Sequence, residues 1–117
     1  MALRKMVERL TKPVEELDRE ELVEFCGQLG VTPLDQVVER KPLRAAGQVR
    51  SVRIVPRAGA PALEVSLTDG RGSLTAVFLG RRKIAGISPG RRMVVQGVAA
   101  REGARAVVYN PEYQLLP

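Results

Sequence analysis

ALEVSLTDGRGSLTAVFLG, residues 62–80, holds two alternating apolar runs joined by Asp69-Gly70-Arg71-Gly72. The first run sets Leu63, Val65 and Leu67 against Glu64, Ser66 and Thr68. The second sets Leu74, Ala76 and Phe78 against Thr75, Val77 and Leu79. Alternation with a period of two is the pattern of strands that bury one face. An Asp-Gly pair between such runs predicts a tight hairpin, because glycine accepts the positive φ that tight connections require. Asp69 is read as a turn former, since a short carboxylate bonds readily to its own backbone, and not as a catalytic acid.

Further strands flank this hairpin. Gln48–Val55 predicts a long first strand, in which the apolar phase shifts between Val49 and the pair Val52 and Ile54. A phase shift inside a strand predicts a bulge, as when one strand serves two sides of a small barrel. Pro56–Pro61 reads as a loop, Arg81–Ile87 as a short basic segment that is either one helical turn or a loop, and Ser88-Pro89-Gly90 as a turn. Arg92–Ala99 and Ala104–Tyr109 complete the strands, joined through Glu102-Gly103. Five short strands with an insertion after the third match the all-β, five-stranded Greek-key barrel called the OB-fold. An SH3-like barrel or a small sandwich fits the strand count and spacing less well.

Residues 1–44 read differently, as an α-helical N-terminal extension to a barrel spanning 45–117. Val14, Leu17, Leu22, Phe25, Cys26 and Leu29 fall on one helical face. The helix is expected to begin near Pro13 or near Asp18 and to stop by Gly30, with a short helical turn after Thr32 and a break at Pro42.

Charge divides the chain in the same place. The net charge is +6 overall, −1 over residues 1–46 and +7 over residues 47–117. That asymmetry makes a polyanion the natural partner of the barrel. The chain has no histidine and a single cysteine, Cys26, which removes Ser-His and Cys-His catalysis, an internal disulfide and cysteine metal clusters. No cofactor or metal site is expected, and the expected function is non-enzymatic. Cys26, beside Phe25 in the helical pattern, reads as a buried small hydrophobe. The first ten residues, MALRKMVERL, are charged and lack a signal-peptide centre, and no apolar run is long enough to span a bilayer. A cytoplasmic location, without membrane association, is expected.

Three elements resemble bacterial OB-fold nucleic-acid-binding domains, including the wedge domain of RecG-type branch-migration helicases and small stand-alone actinobacterial proteins with a helical leader. They are the Leu-x-Asp-Gly-x-Gly-x-Leu turn at Leu67–Leu74, the glycine-punctuated stretch from Pro89-Gly90 to Gly97, and Asn110-Pro111-Glu112-Tyr113. The resemblance spans about residues 45–116. It implies binding of DNA, single-stranded or branched, in preference to RNA. The helicase motor is not implied, because the chain has no G-x-x-x-x-G-K-[ST] phosphate loop.

An OB-fold takes oligonucleotides on the face of its second and third strands, framed by the first and last hairpin loops. The candidate phosphate contacts are Arg50, Arg53, Arg57, Arg71, Arg81, Arg82, Lys83, Arg91, Arg92, Arg101 and Arg105. Tyr109 is the candidate for base stacking. Phe78 is assigned to the core and Tyr113 to barrel closure. Glu64 and Glu112 lack a matched carboxylate and carry no expected role. The acidic leader residues Glu15, Glu16, Glu20, Glu21 and Glu24 form a solvated face, or alternatively one that docks on the basic barrel and masks it. A second reading makes the chain a protein adaptor, with the amphipathic leader helix mediating homo-oligomerisation or partner docking.

Overall fold

The computed structural model describes residues 13–117. The N-terminal stretch read above for its lack of a signal-peptide centre lies outside them. In chain order the elements are α1 (Val14–Gly27), a 3-10 turn (Leu34–Gln36), β1 (Pro42–Arg57), β2 (Ala60–Thr68), β3 (Ser73–Leu79), β4 (Arg92–Glu102), β5 (Arg105–Tyr109) and β6 (Glu112–Leu115). Neighbouring strands run β1-β2-β3-β5-β4, and β4 pairs back onto β1. Five strands therefore close in a ring, with β3 and β5 as its parallel pair.

The long first strand makes closure possible. Its first half, Pro42–Gln48, pairs with β4, and its second half, from Gln48 to Arg57, pairs with β2. The β2 register slips between Val49 and Ser51, which leaves Arg50 as the extra residue of a bulge. The phase shift in the sequence marks this point. A bulge bends its strand and raises the local twist, as a ring this small requires.

Element boundaries refine the sequence reading in several places. The preceding segment ends at Pro42 as expected, but β1 begins there, six residues before Gln48, because a strand's first residue tolerates a missing N–H. Pro56–Pro61 is no loop. It is the end of a hairpin turned by Ala58 (φ 49°) and Gly59 (φ 79°). Pro56 lies opposite Pro61, next to the closing pair Arg57 and Ala60, at a ladder position that exchanges no hydrogen bonds. Arg81–Ile87 forms turns without a helical segment, pinned by the buried Ile84 and Ile87. Finally, β6 pairs with β4 on the edge opposite β1, a strand the sequence reading omitted.

Inside the ring lie Leu63, Val65, Leu67, Leu74, Ala76, Phe78, Met93, Val95 and Val108. Those from β2 and β3 are the apolar phases of the predicted alternation. Phe78 is buried as expected, and Tyr113 from β6 meets it edge-on at 5.7 Å.

The leader docks on the ring. Leu22 and Cys26 of α1 pack against Ala46 and Val94, flanked by Phe25 and Leu29. Val14, expected on the same face, is exposed. The helix begins next to Pro13, and the restart near Asp18 is not used. Burial, followed by the nearby Asp69 carboxylate, pushes the Cys26 thiol above its ordinary pKa. Leu34 of the 3-10 turn inserts into the ring's own core.

Docking explains both glycines of the β2–β3 turn. A Cβ at Gly70 would meet Val23 Cγ2 at 2.6 Å and the Arg19 carbonyl oxygen at 2.9 Å. One at Gly72 would meet the Leu34 and Asp35 backbone at 2.7–2.8 Å. Gly70 also has φ +86°. Gly70→Ala is therefore expected to push α1 off the ring and expose the buried Cys26. A thiol reagent should label Cys26 at least tenfold faster in the variant, the ratio that about 1.4 kcal/mol of weakened docking produces. Equal labelling rates would remove the assignment.

Candidate nucleic-acid interface

The outer faces of β1, β2, β3 and β5 form the floor of a groove of about 560 Å³. Strand alternation forces its lining: the phase that buries Leu63, Val65, Leu67, Leu74 and Ala76 turns Glu64, Ser66, Ser73 and Thr75 outward. Ser51 adds a further hydroxyl. Arg53 stands on the β1 wall, and Arg101 and Arg105 stand at the β4–β5 hairpin. Leu34, Asp35 and Val37 of the leader border one end. Among the described residues, the hydroxyls of Ser51, Ser66, Ser73 and Thr75 make no side-chain hydrogen bond within the protein.

Beside the groove, an ionic cluster joins the two hairpins. Arg57, next to the β1–β2 turn, donates to Glu64 at 2.9 Å and to Glu102 of the β4–β5 hairpin at 2.8 and 2.9 Å. Arg105 donates to the same two carboxylates at 3.2 and 3.0 Å. Arg53 lies 3.5 Å from Glu64. The Arg57 guanidinium also stands over the Tyr109 ring, 5.6 Å from its centroid.

Glu64 is nearly inaccessible, and burial on its own would raise its pKa. The hydrogen bonds and charges of Arg57 and Arg105 outweigh that effect and hold it below the usual carboxylate range. Glu102 is lowered chiefly by its hydrogen bond from Arg57, against a smaller opposing effect of burial. In return, hydrogen bonds to Glu102 and Glu64 hold the Arg57 proton more firmly than in a free guanidinium.

The candidate residues therefore separate into groups. Arg53, Arg101 and Arg105 share the groove. Arg57 and Arg105 are committed to carboxylates, with Arg53 loosely attached. Arg92 is bound to the leader: it stacks on Phe25 at 4.5 Å and pairs with Glu21 at 3.3 Å. Arg50 lines the cleft between α1 and the ring, close to Glu15, Asp18 and Glu21. Arg71 sits across from Glu16, Glu20 and Glu24 on another side of the helix. Arg81, Arg82 and Lys83 are exposed and follow Leu79, at the end of β3 away from the groove's Ser73. Arg91 lies beside Leu116 and Pro117, its Nε buried without a hydrogen-bond partner among the described residues. Tyr109 is 38% exposed and shares its ring with Arg57.

Sequence reasoning passed over Glu64 and Glu102, and it missed the hydroxyl floor. A signal for Glu64 existed. The two-residue turn at Ala58-Gly59 fixes a register in which Arg53 lies directly opposite Glu64, and opposite charges at such positions attract.

The elements behind the family resemblance have structural roles. Asp69 accepts hydrogen bonds from the N–H groups of Arg71 and Gly72, which confirms it as a turn former. The Asn110 carboxamide oxygen accepts from the Leu79 N–H, tying the start of β6 to β3. No family model matches the chain, and no curated protein is significantly similar to it.

Proposed function

We propose that the chain is a non-enzymatic nucleic-acid-binding module of the OB type, acting in the cytoplasm and contacting DNA, single-stranded or branched, with little sequence specificity. Closure in the order β1-β2-β3-β5-β4, with a first strand shared between two sides, supports the OB reading. The observation that carries the function is the groove across β2 and β3, walled by Arg53 on β1 and by Arg101 and Arg105 of the β4–β5 hairpin, and bordered at one end by Leu34, Asp35 and Val37. Its position is where OB-folds take oligonucleotides, and it belongs to the half of the chain that carries +7. The preference for DNA over RNA rests on the sequence resemblance alone.

The adaptor reading uses the leader's apolar side as a docking surface. Leu22 and Cys26 on that side are already packed against Ala46 and Val94. This favours the nucleic-acid reading.

Fluorescence anisotropy with labelled single-stranded, duplex and forked oligonucleotides across a salt series tests the proposal. Affinity should fall with salt, with a log–log slope of about −0.7 for each phosphate contacted on a single strand. Arg53→Glu with Arg101→Glu should weaken binding at least tenfold and flatten that slope. Reversing Arg81, Arg82 and Lys83, which act on the groove only through the long-range field, should cost about threefold. Weak, salt-independent signals for all three probes would sink the reading.

A further inference from the structure

Resting on that reading, we infer that the groove recognises the sugar–phosphate backbone of a nucleic acid and stacks no bases. Sequence-tolerant single-strand binders combine cations with aromatic platforms on which bases lie flat. The groove has the cations and no platform: none of its lining residues is aromatic. Tyr109, the one aromatic residue on the outer phase of β5, already carries Arg57 against its ring.

The floor supplies a different chemistry. Hydroxyls from Ser51 on β1, Ser66 on β2 and Ser73 and Thr75 on β3 face the groove without hydrogen-bond partners among the described residues. Such groups donate to phosphate oxygens and exchange hydrogen bonds with sugar oxygens, contacts that position a backbone without reading its sequence. The cations bracket this floor. Arg53 rises on the β1 side and Arg101 on the β4–β5 side, with β2 and β3 between them.

The acids do not cancel this arrangement. Glu64 is already neutralised by Arg57 and Arg105, and Asp35 lies at the leader end of the groove. Arg101, which has no ion pair among the described residues, is left to hold a phosphate, with the exposed Arg53 opposite.

An abasic oligonucleotide separates the two modes. A labelled 20-mer of tetrahydrofuran residues keeps the backbone charge and removes every base. Its affinity for the full chain should lie within about threefold of that of a normal mixed-sequence strand of equal length. Base stacking is worth ~1–3 kcal/mol per base, so a stacking protein would lose roughly 5- to 150-fold for each base removed. Tyr109→Leu should change the affinity for the normal strand by less than twofold. Ser66→Asp, which places a carboxylate in the floor, should weaken both probes at least tenfold.

A normal strand that binds while the abasic one does not would overturn the backbone assignment and leave the nucleic-acid reading standing. Binding of neither strand would overturn both. Binding of both probes unaffected by Ser66→Asp would move the site off the groove and overturn the assignment there.

Discussion

Asp69→Ala is expected to lower the unfolding free energy by about 3 kcal/mol, or roughly 12 °C in Tm for a chain of this size. Asp69 is buried, yet both its oxygens are in use. Oδ1 accepts from the N–H groups of Arg71 and Gly72 at 2.9 and 3.0 Å, which closes the β2–β3 turn. Oδ2 accepts from the Leu34 N–H at 2.8 Å, which fastens the leader to that turn. In the alanine variant the Leu34 N–H stays buried without an acceptor, costing about 1–3 kcal/mol by itself. The N–H groups at the turn are more accessible, so water recovers part of their loss. Asp69→Asn keeps one oxygen for the turn and forfeits the bond to Leu34, so it should lose about half as much. Urea melts at pH 7 give the free energies, and Cys26 labelling shows whether the leader leaves before the ring opens. An Asp69→Ala protein as stable as its parent would remove the claim that one carboxylate locks turn and leader together.

The same turn shows how far sequence carries the fold. Alternation over residues 62–80 places Leu63, Val65, Leu67, Leu74, Ala76 and Phe78 inside the ring, because a one-residue error would move all of them to the other face. The phase shift in β1 marks its bulge for the same reason. The alternation does not show that Val77, on the outer phase, is buried as well, against Ala62 and Val107. What sequence cannot supply is the partner of each glycine. Gly70 and Gly72 read locally as turn chemistry, whereas Val23 and Arg19 of α1 also exclude a Cβ at Gly70, and the backbone of Leu34 and Asp35 excludes one at Gly72. Prolines misled in a similar way. Two within six residues suggest a loop, but placed opposite each other at a non-bonded pair they leave the hairpin intact.

The site was less legible than the fold. Composition correctly distinguishes a basic barrel from a nearly neutral leader. Counting arginines does not show which of them are free. Arg57, Arg92 and Arg105 are engaged with carboxylates in three dimensions, two of them with a Glu64 whose role depends on strands far apart in sequence. The masking idea for the acidic helix has a partial structural counterpart. Glu21 holds Arg92, and Glu15 and Asp18 line the cleft beside Arg50, while no α1 residue lines the groove bordered by Arg53 and Arg101.

Glu64→Gln separates stability from binding at this face. The parent carboxylate accepts from Arg57 and Arg105 while almost wholly buried. Removing its charge leaves those guanidiniums short of a partner, at an expected cost of about 2–3 kcal/mol. That is less than the full penalty of a broken buried pair, because the arginines are partly solvated. The pH dependence follows from the lowered folded-state pKa values of Glu64 and Glu102. Their contribution is complete above the unfolded carboxylate value of about 4.3 and is lost as pH falls through the lower folded values. Urea melts from pH 7 to pH 3 should therefore show a steep acid loss in the parent and a shallower one in the variant. Oligonucleotide affinity should move in the opposite direction. Arg53, Arg57 and Arg105, relieved of an anion, become available to phosphate, and binding at pH 7 should tighten about two- to fivefold. Parallel pH curves would remove Glu64 as the anchor of the cluster. Weaker binding in a variant that stays folded would show that the carboxylate orients the arginines for the ligand and does not withhold them from it.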